Sequence, residues 1–138
     1  VSTNKNKRIM IIEDDDKDIT NLFSIFLEHN GYTVNAYTNS VEAFNNIRKN
    51  SHDLIILDLK MPKMDGMILY RKIKEIDDKV IICITTADPT YIEDLRKGII
   101  DIEKIILYKP ALLKDLKNKI EWLLSRQEVN FKSLMMFL

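Results

Sequence analysis

Four sets of chemically capable side chains stand just after short apolar runs: the acids Glu13, Asp14 and Asp15 after "RIMII", Asp58 after "LIIL", the hydroxyls of Thr85 and Thr86 after "VIICI", and the ammonium of Lys109 after "KIILY". Asp58 poses the question most sharply. Four consecutive apolar residues, Leu54 to Leu57, read as a strand buried on both faces, and Pro62 and Gly66 turn the chain soon afterwards. The carboxylate therefore sits where a buried strand meets solvent, either as a cap or as a site. In open α/β sheets the edge outside the carboxyl ends of the strands is where ligands bind.

If the first and third strands are neighbours, Asp14 and Asp58 lie within reach of each other across a strand spacing of ~4.8 Å. Like charges that close are costly to keep ionised, so the cluster asks for a cation. Carboxylate oxygens with several waters suit Mg²⁺, which is usually held by one or two protein carboxylates plus a substrate phosphate. With its charge offset in that way, Asp58 can attack phosphorus and form an aspartyl phosphate. The hydroxyl of Thr86 and the ammonium of Lys109 can then stabilise the transferred group, and its new acceptor oxygens can reorder a nearby loop. Taken singly, each residue also has an ordinary reading. Residues 13–16 could be a solvated acidic turn before a helix, Asp58 a turn cap, and Lys109 a surface lysine before a proline. Thr85 and Thr86 stay paired as alternatives, because period-two alternation turns one of them away from the site.

The elements that must position these groups follow from alternation of apolar runs with amphipathic stretches, repeated five times, which is the pattern of βαβ units on a parallel sheet. The strands are predicted at Arg8–Ile12, "YTVNAY", "DLIILD", "KVIICITT" and Lys104–Tyr108. Helices follow each. The first carries Ile19, Leu22, Phe23, Phe26 and Leu27 at helical spacing and stops at Gly31. The second starts at Ser40 as N-cap with Val41, Ala43, Phe44 and Ile47 inward. The third buries Met67, Ile68, Leu69 and Ile73, the fourth takes Pro89 at its first position, and the last begins after Pro110.

At 138 residues the chain is predicted to be one domain, with a polar, disordered lead-in over 1–7, the domain over 8–127 and an apolar tail over 128–138 that continues the last helix, docks on the body or meets a partner. Val1 in place of Met reads as a processed or engineered start. No apolar run approaches the about 18 residues that span a bilayer, so a cytoplasmic protein is expected, with no membrane partner. Lys plus Arg and Asp plus Glu balance at 21 each, which argues against a nucleic-acid grip built on net charge. Lys114, Lys117 and Lys119 accordingly read as a solvated helix face. The single cysteine, Cys83, lies inside an apolar run as a buried small hydrophobe. Met61, Met64, Met67, Met135 and Met136 read as packing residues, since Mg²⁺ has no use for soft sulfur. His29 and His52 lie away from the strand carboxyl ends and are not placed as phosphodonors.

In order along five βα units, "IIEDDD", "LDLKMPKMDG", "ITTAD" and "YKP" resemble the receiver domain of two-component response regulators, over about residues 8–127. The resemblance implies a flavodoxin-like, doubly wound sheet of five parallel strands in the order 2-1-3-4-5. It implies that Asp58 is the phosphoacceptor and that Asp14 binds Mg²⁺ directly, Glu13 through water and Lys60 through its backbone carbonyl. It matches Thr86, which precedes Ala87, to the switch hydroxyl, and Lys109 to the family lysine with a cis Lys109-Pro110 bond. Lys60, Ala87 and Asp88 fall at positions that modulate acyl-phosphate lifetime. A Lys60–Asp88 ion pair would hinder the attacking water and give a slowly decaying phosphorylated form. A histidine kinase or phosphotransfer protein is the implied phosphodonor, and a homodimer through the last helix or tail is a candidate output.

Three features depart from the family pattern: Ile106 holds the place of the usual aromatic switch residue with Tyr108 beside Lys109 instead, the loop "GIIDIEK" is longer than usual, and Ala111 replaces the customary Phe. The last two fall on the face of the fourth helix, fifth strand and fifth helix, where receivers commonly meet partners. The leading expectation is a phosphorylatable signalling receiver, not an enzyme on an outside substrate, though it takes part in its own phosphotransfer and autodephosphorylation. The alternatives are a receiver piece of a longer regulator, a pseudo-receiver that binds partners without phosphorylation, and a Mg²⁺ phosphatase-like hydrolase. The pseudo-receiver would have lost an acid, the threonine or the lysine, and the hydrolase would need a further acid-base residue and a cap.

Overall fold

A computed structural model describes residues 6–13, 17–59, 66–88, 90–97 and 102–137, apart from the side chains of Tyr91, Asp94, Leu95 and residues 127–137. The elements in chain order are β1 (Arg8–Ile12), α1 (Lys17–His29), β2 (Thr33–Tyr37), α2 (Ser40–Asn45), β3 (Leu54–Asp58), α3 (Gly66–Ile76), β4 (Ile81–Thr86), α4 (Thr90–Arg96), a 3₁₀ turn (Ile102–Ile105), β5 (Ile106–Tyr108) and α5 (Leu113–Phe137). The strands form one parallel sheet in the order β2-β1-β3-β4-β5, as expected.

The continuous apolar runs become central strands because both sheet faces are covered. On one face Met10, Ile12, Ile55, Leu57, Ile82 and Ile84 meet Ala43 of α2, Leu69 and Ile73 of α3 and Ile92 of α4. On the other, Ile9, Ile11, Leu54, Ile56 and Cys83 meet Phe23 and Leu27 of α1 and Leu116, Ile120, Leu123 and Leu124 of α5. Each fully buried Leu or Ile contributes about 1.5–3 kcal/mol, so these two layers supply the rigidity that holds the strand ends in register.

Local signals place the joints. Gly31, at φ +96°, takes the left-handed conformation that ends α1. Gly66 opens α3 where a Cβ would stand 2.7 Å from the Leu59 Cα and 2.9 Å from its carbonyl oxygen, so only glycine lets the helix start so close to the end of β3.

Several local expectations are corrected. The N-cap of α2 is Asn39, whose Oδ1 accepts from the Val41 and Glu42 amides at 2.9 and 3.1 Å, while Ser40 is a buried first residue of the helix. An amide oxygen one residue earlier serves the orphan N–H groups and frees the small Ser40 to be covered. Val41, Ile68, Ile19 and Leu22 are exposed rather than inward, because each helix meets the sheet along a stripe narrower than its apolar content. The predicted fifth strand loses Lys104 and Ile105 to the 3₁₀ turn. Helix α5 runs from Leu113 to Phe137. Pro89 lies outside the described residues, as do Met61 and Met64, and the side chains of Met135 and Met136 are likewise undescribed.

Candidate functional site

The carboxyl edge of the sheet is extended by one residue on three strands, and that extension aims the polar groups. The Glu13 amide donates to the Tyr37 carbonyl at 3.0 Å, the Leu59 amide to Thr85 at 3.1 Å, and the Lys109 amide to Thr86 at 2.8 Å. Glu13, Asp58 and Lys109 are thereby held by backbone ladders rather than by loose loops. Lys109-Pro110 is cis, as the resemblance implied.

Asp58 is 2% exposed and Glu13 5% exposed, and the Lys109 ammonium bridges them: it donates to the Glu13 Oε2 and to the Asp58 Oδ2, the latter at 3.3 Å. Residues separated by 45 and 51 positions in the chain thus meet at one point. Burial, with hydrogen bonding to Asp58 and its charge adding and Lys109 opposing, raises the Glu13 carboxyl from 4.5 to about 7. For Lys109 burial works against the charged form, but Glu13 and Asp58 outweigh it and hold the ammonium above its ordinary value. The arrangement is one cation shared by two buried acids, which favours a further cation or a neutralising proton.

The two carboxylates are hard oxygen donors, and Mg²⁺ is usually held by one or two such groups, so the residues present fit that ion. Among the described residues no third His, Cys, Asp or Glu joins them. Asp14 and Lys60, the other implied ligands, lie outside the described residues, so neither their approach nor a Lys60–Asp88 pair is described.

Thr85 and Thr86 are both buried and are separated by the alternation of β4. Thr85 pairs in register with Asp58, and alternation carries it to the side of Cys83, the side toward α1 and α5. The Thr86 hydroxyl is not brought to Asp58. It accepts from the Asp88 amide at 3.1 Å and donates to the Asp88 carbonyl at 3.0 Å. Ala87 is exposed between them. The Asp88 Oδ1 accepts from the Thr90 amide at 3.0 Å and from its hydroxyl at 2.7 Å.

Ile106, at the switch position, is buried in the core with Ile84, Ile92 and Ile102. Beside the site stands a link that sequence reasoning missed: the Tyr108 hydroxyl donates to Glu103 at 3.0 Å, and Glu103 pairs with Arg96 of α4. The only sequence signal for it was the displaced aromatic at Tyr108. Cys83 is buried as expected, its thiol pushed up to about 12 by burial. His52 is engaged on both nitrogens, by Ser51 and Asn35, well away from the carboxyl edge. No described helix is long and apolar enough to cross a membrane.

Residues 9–121 match the family model described as the response regulator receiver domain. The chain is 34% identical over 119 residues to the response regulator receiver protein CpdR of Brucella abortus, covering 86% of this chain and 97% of that protein. It is 29% identical to the transcriptional regulatory protein RprY of Bacteroides fragilis, covering 91% of this chain but 52% of RprY, so it spans about half the length of that relative. Among solved structures it resembles a CheY-like response regulator receiver domain protein from Methanospirillum hungatei, with a TM-score of 0.80, 26% identity and coverage of 91% and 99% of the two chains. Fold, ordered motifs and relatives agree: the chain belongs to the response regulator receiver domain family.

Proposed function

We propose that this chain accepts a phosphoryl group on Asp58 from a histidine kinase or phosphotransfer protein and thereby changes a partner-binding face. The family is a signalling one whose members meet such donors and generally use Mg²⁺ at the phosphorylation site. The observation that carries the reading is the convergence of the buried Asp58 and Glu13 on the single ammonium of Lys109.

An Asp58 carboxylate oxygen attacks phosphorus as the bond from phosphorus to the donor breaks. Glu13, Asp14, Asp58 and the Lys60 carbonyl would hold Mg²⁺, which when bound supplies neutralisation of the carboxylate and phosphoryl charges. Lys109 already stands 3.3 Å from Asp58 and pairs with a phosphoryl oxygen once the group arrives. Thr86 donates to another after its hydroxyl leaves the Asp88 backbone, with Thr85, on the Asp58 side of the strand, as the alternative donor. Autodephosphorylation follows by water attack, slowed or admitted by what Lys60, Ala87 and Asp88 present. A cytoplasmic site of action fits such donors.

On this reading the phosphodonor docks on α1. Ile19, Leu22 and Ile25 are 38%, 50% and 68% exposed at a spacing of three, an apolar stripe suited to a helical partner. A second reading, a receiver of residues 8–127 within a longer regulator, is favoured by relatives of about twice the matched length. Full-length gene context decides it, and dimerisation through α5 and residues 128–138 would be the output to test first.

Intact mass after incubation with acetyl phosphate and Mg²⁺ tests the chemistry. One phosphoryl group is gained by the natural chain and none by Asp58→Asn or in the presence of chelator. No gain under conditions that modify a control receiver would leave a phosphorylation-independent interaction module.

A further inference from the structure

Helix α4 is fastened to the carboxyl edge of the sheet at both of its ends. At the N-terminal end the Asp88 carboxylate holds Thr90, and the Asp88 backbone grips the Thr86 hydroxyl. At the C-terminal end Arg96 pairs with Glu93 at 3.2 Å and, through its other nitrogen, with Glu103, whose second oxygen accepts the Tyr108 hydroxyl at 3.0 Å. Tyr108 is the cross-strand neighbour of Thr86, and the next amide, Lys109, donates to the Thr86 carbonyl. Both fastenings therefore start at Thr86 and its strand partner.

Ile106 has no polar atom in its side chain and lies buried beside Ile92 of α4, so it can pass on only packing changes. Tyr108 is 43% exposed, and its hydroxyl supplies a directional bond that depends on where the end of β5 lies. Glu103, on the 3₁₀ turn before β5, stands between Tyr108 and Arg96.

We propose that Tyr108, acting through Glu103 on Arg96, is the positioning residue that couples the Asp58 edge to α4 in this chain. The inference rests on the phosphoacceptor reading above and deepens it by naming how the site is read out. When Thr86 turns toward a phosphoryl group, the N-terminal fastening of α4 loosens. The Tyr108–Glu103–Arg96 bridge still ties the other end to β5, so the helix pivots as a unit. With the bridge cut, the two ends are no longer linked and the ordered response of α4 is lost.

Amide hydrogen exchange of residues 90–97 in the full chain tests this, with the natural protein, Tyr108→Phe, Glu103→Gln and the double variant, before and after acetyl phosphate and Mg²⁺, and intact mass measured in parallel. At rest each single variant raises exchange in α4 about threefold, the scale that an exposed hydrogen-bonded pair controls, and the double variant adds nothing further because one path is cut. After treatment all gain the phosphoryl group, but only the natural chain changes its α4 exchange. Unchanged resting exchange in Tyr108→Phe, additive effects in the double variant, or a full α4 response in the phosphorylated variants would overturn the proposal. If the natural chain gains no mass, the phosphoacceptor reading falls, while the resting comparison still decides the bridge: a non-additive rise supports it and no rise refutes it.

Discussion

Replacing Glu13 by Gln should flatten the pH dependence of stability in the metal-free protein. In the folded chain the Glu13 carboxyl is raised from 4.5 to about 7, chiefly by burial, so the native state holds its proton more tightly than the unfolded state does. The stabilisation is complete below about pH 4.5 and is lost as the pH rises through about 7. At about 1.4 kcal/mol for each pH unit, the displacement comes to about 3 kcal/mol, a large part of the stability of a domain this size. Lys109, also raised, loses its contribution only when the pH passes its own elevated value, outside this window. His52 acts in the opposite sense. Burial and then Arg8 hold its imidazole below 6.5, so its effect adds stability as the pH rises past the lowered value toward 6.5. The comparison with Glu13→Gln removes this background, because His52 lies at the other edge of the sheet. Urea unfolding at pH 5, 6, 7 and 8 with chelator should show the natural protein losing about 2–3 kcal/mol relative to the variant across that range. Parallel profiles for the two proteins would refute the reasoning, since a buried carboxyl that titrates normally is not under the strain inferred.

Lys109→Met removes the cation shared by two buried acids and should destabilise the metal-free protein by about 2 kcal/mol or more at pH 8, less at pH 5 where Glu13 takes up a proton, as urea unfolding measures. Gly66→Ala places a Cβ 2.7 Å from the Leu59 Cα, so a loss of about 1–3 kcal/mol should outweigh the gain in helix propensity, read as a lower urea midpoint. Cys83, fully buried with its thiol pushed up to about 12, should react with a thiol reagent at pH 8 only at the rate of unfolding, and prompt labelling of the native protein would contradict its place in the core.

Much of the fold was legible because its signals are local. Runs such as Leu54–Leu57 state that a strand is buried on both faces, Gly31 ends a helix by its own backbone freedom, and alternation of strand and helix leads to a parallel sheet. The misplaced features were those that depend on which neighbour competes for a group. Asn39 rather than Ser40 caps α2 because its side chain reaches two amides, and Ile19, Leu22, Val41 and Ile68 face outward because the sheet has no room for them. Ile102–Ile105 could serve as strand or 3₁₀ turn by composition, and the packing of Ile102 beside Ile92 goes with the turn.

For the site, the residue types and their order at the ends of successive strands pointed to the acids after β1, Asp58, the Thr85–Thr86 pair and Lys109, because a parallel sheet must carry all those ends to one edge, while the singling out of Glu13 and Thr86 came from the family resemblance. Distances and partners needed the tertiary structure. The sequence alone could not say that one ammonium would bridge Glu13 and Asp58, that the Thr86 hydroxyl would rest on the Asp88 backbone, or that Glu103 would join Tyr108 to Arg96. Strand type and strand order follow from patterns repeated along the chain, whereas a bond between side chains 5 to 96 residues apart depends on register, twist and burial summed over the whole sheet.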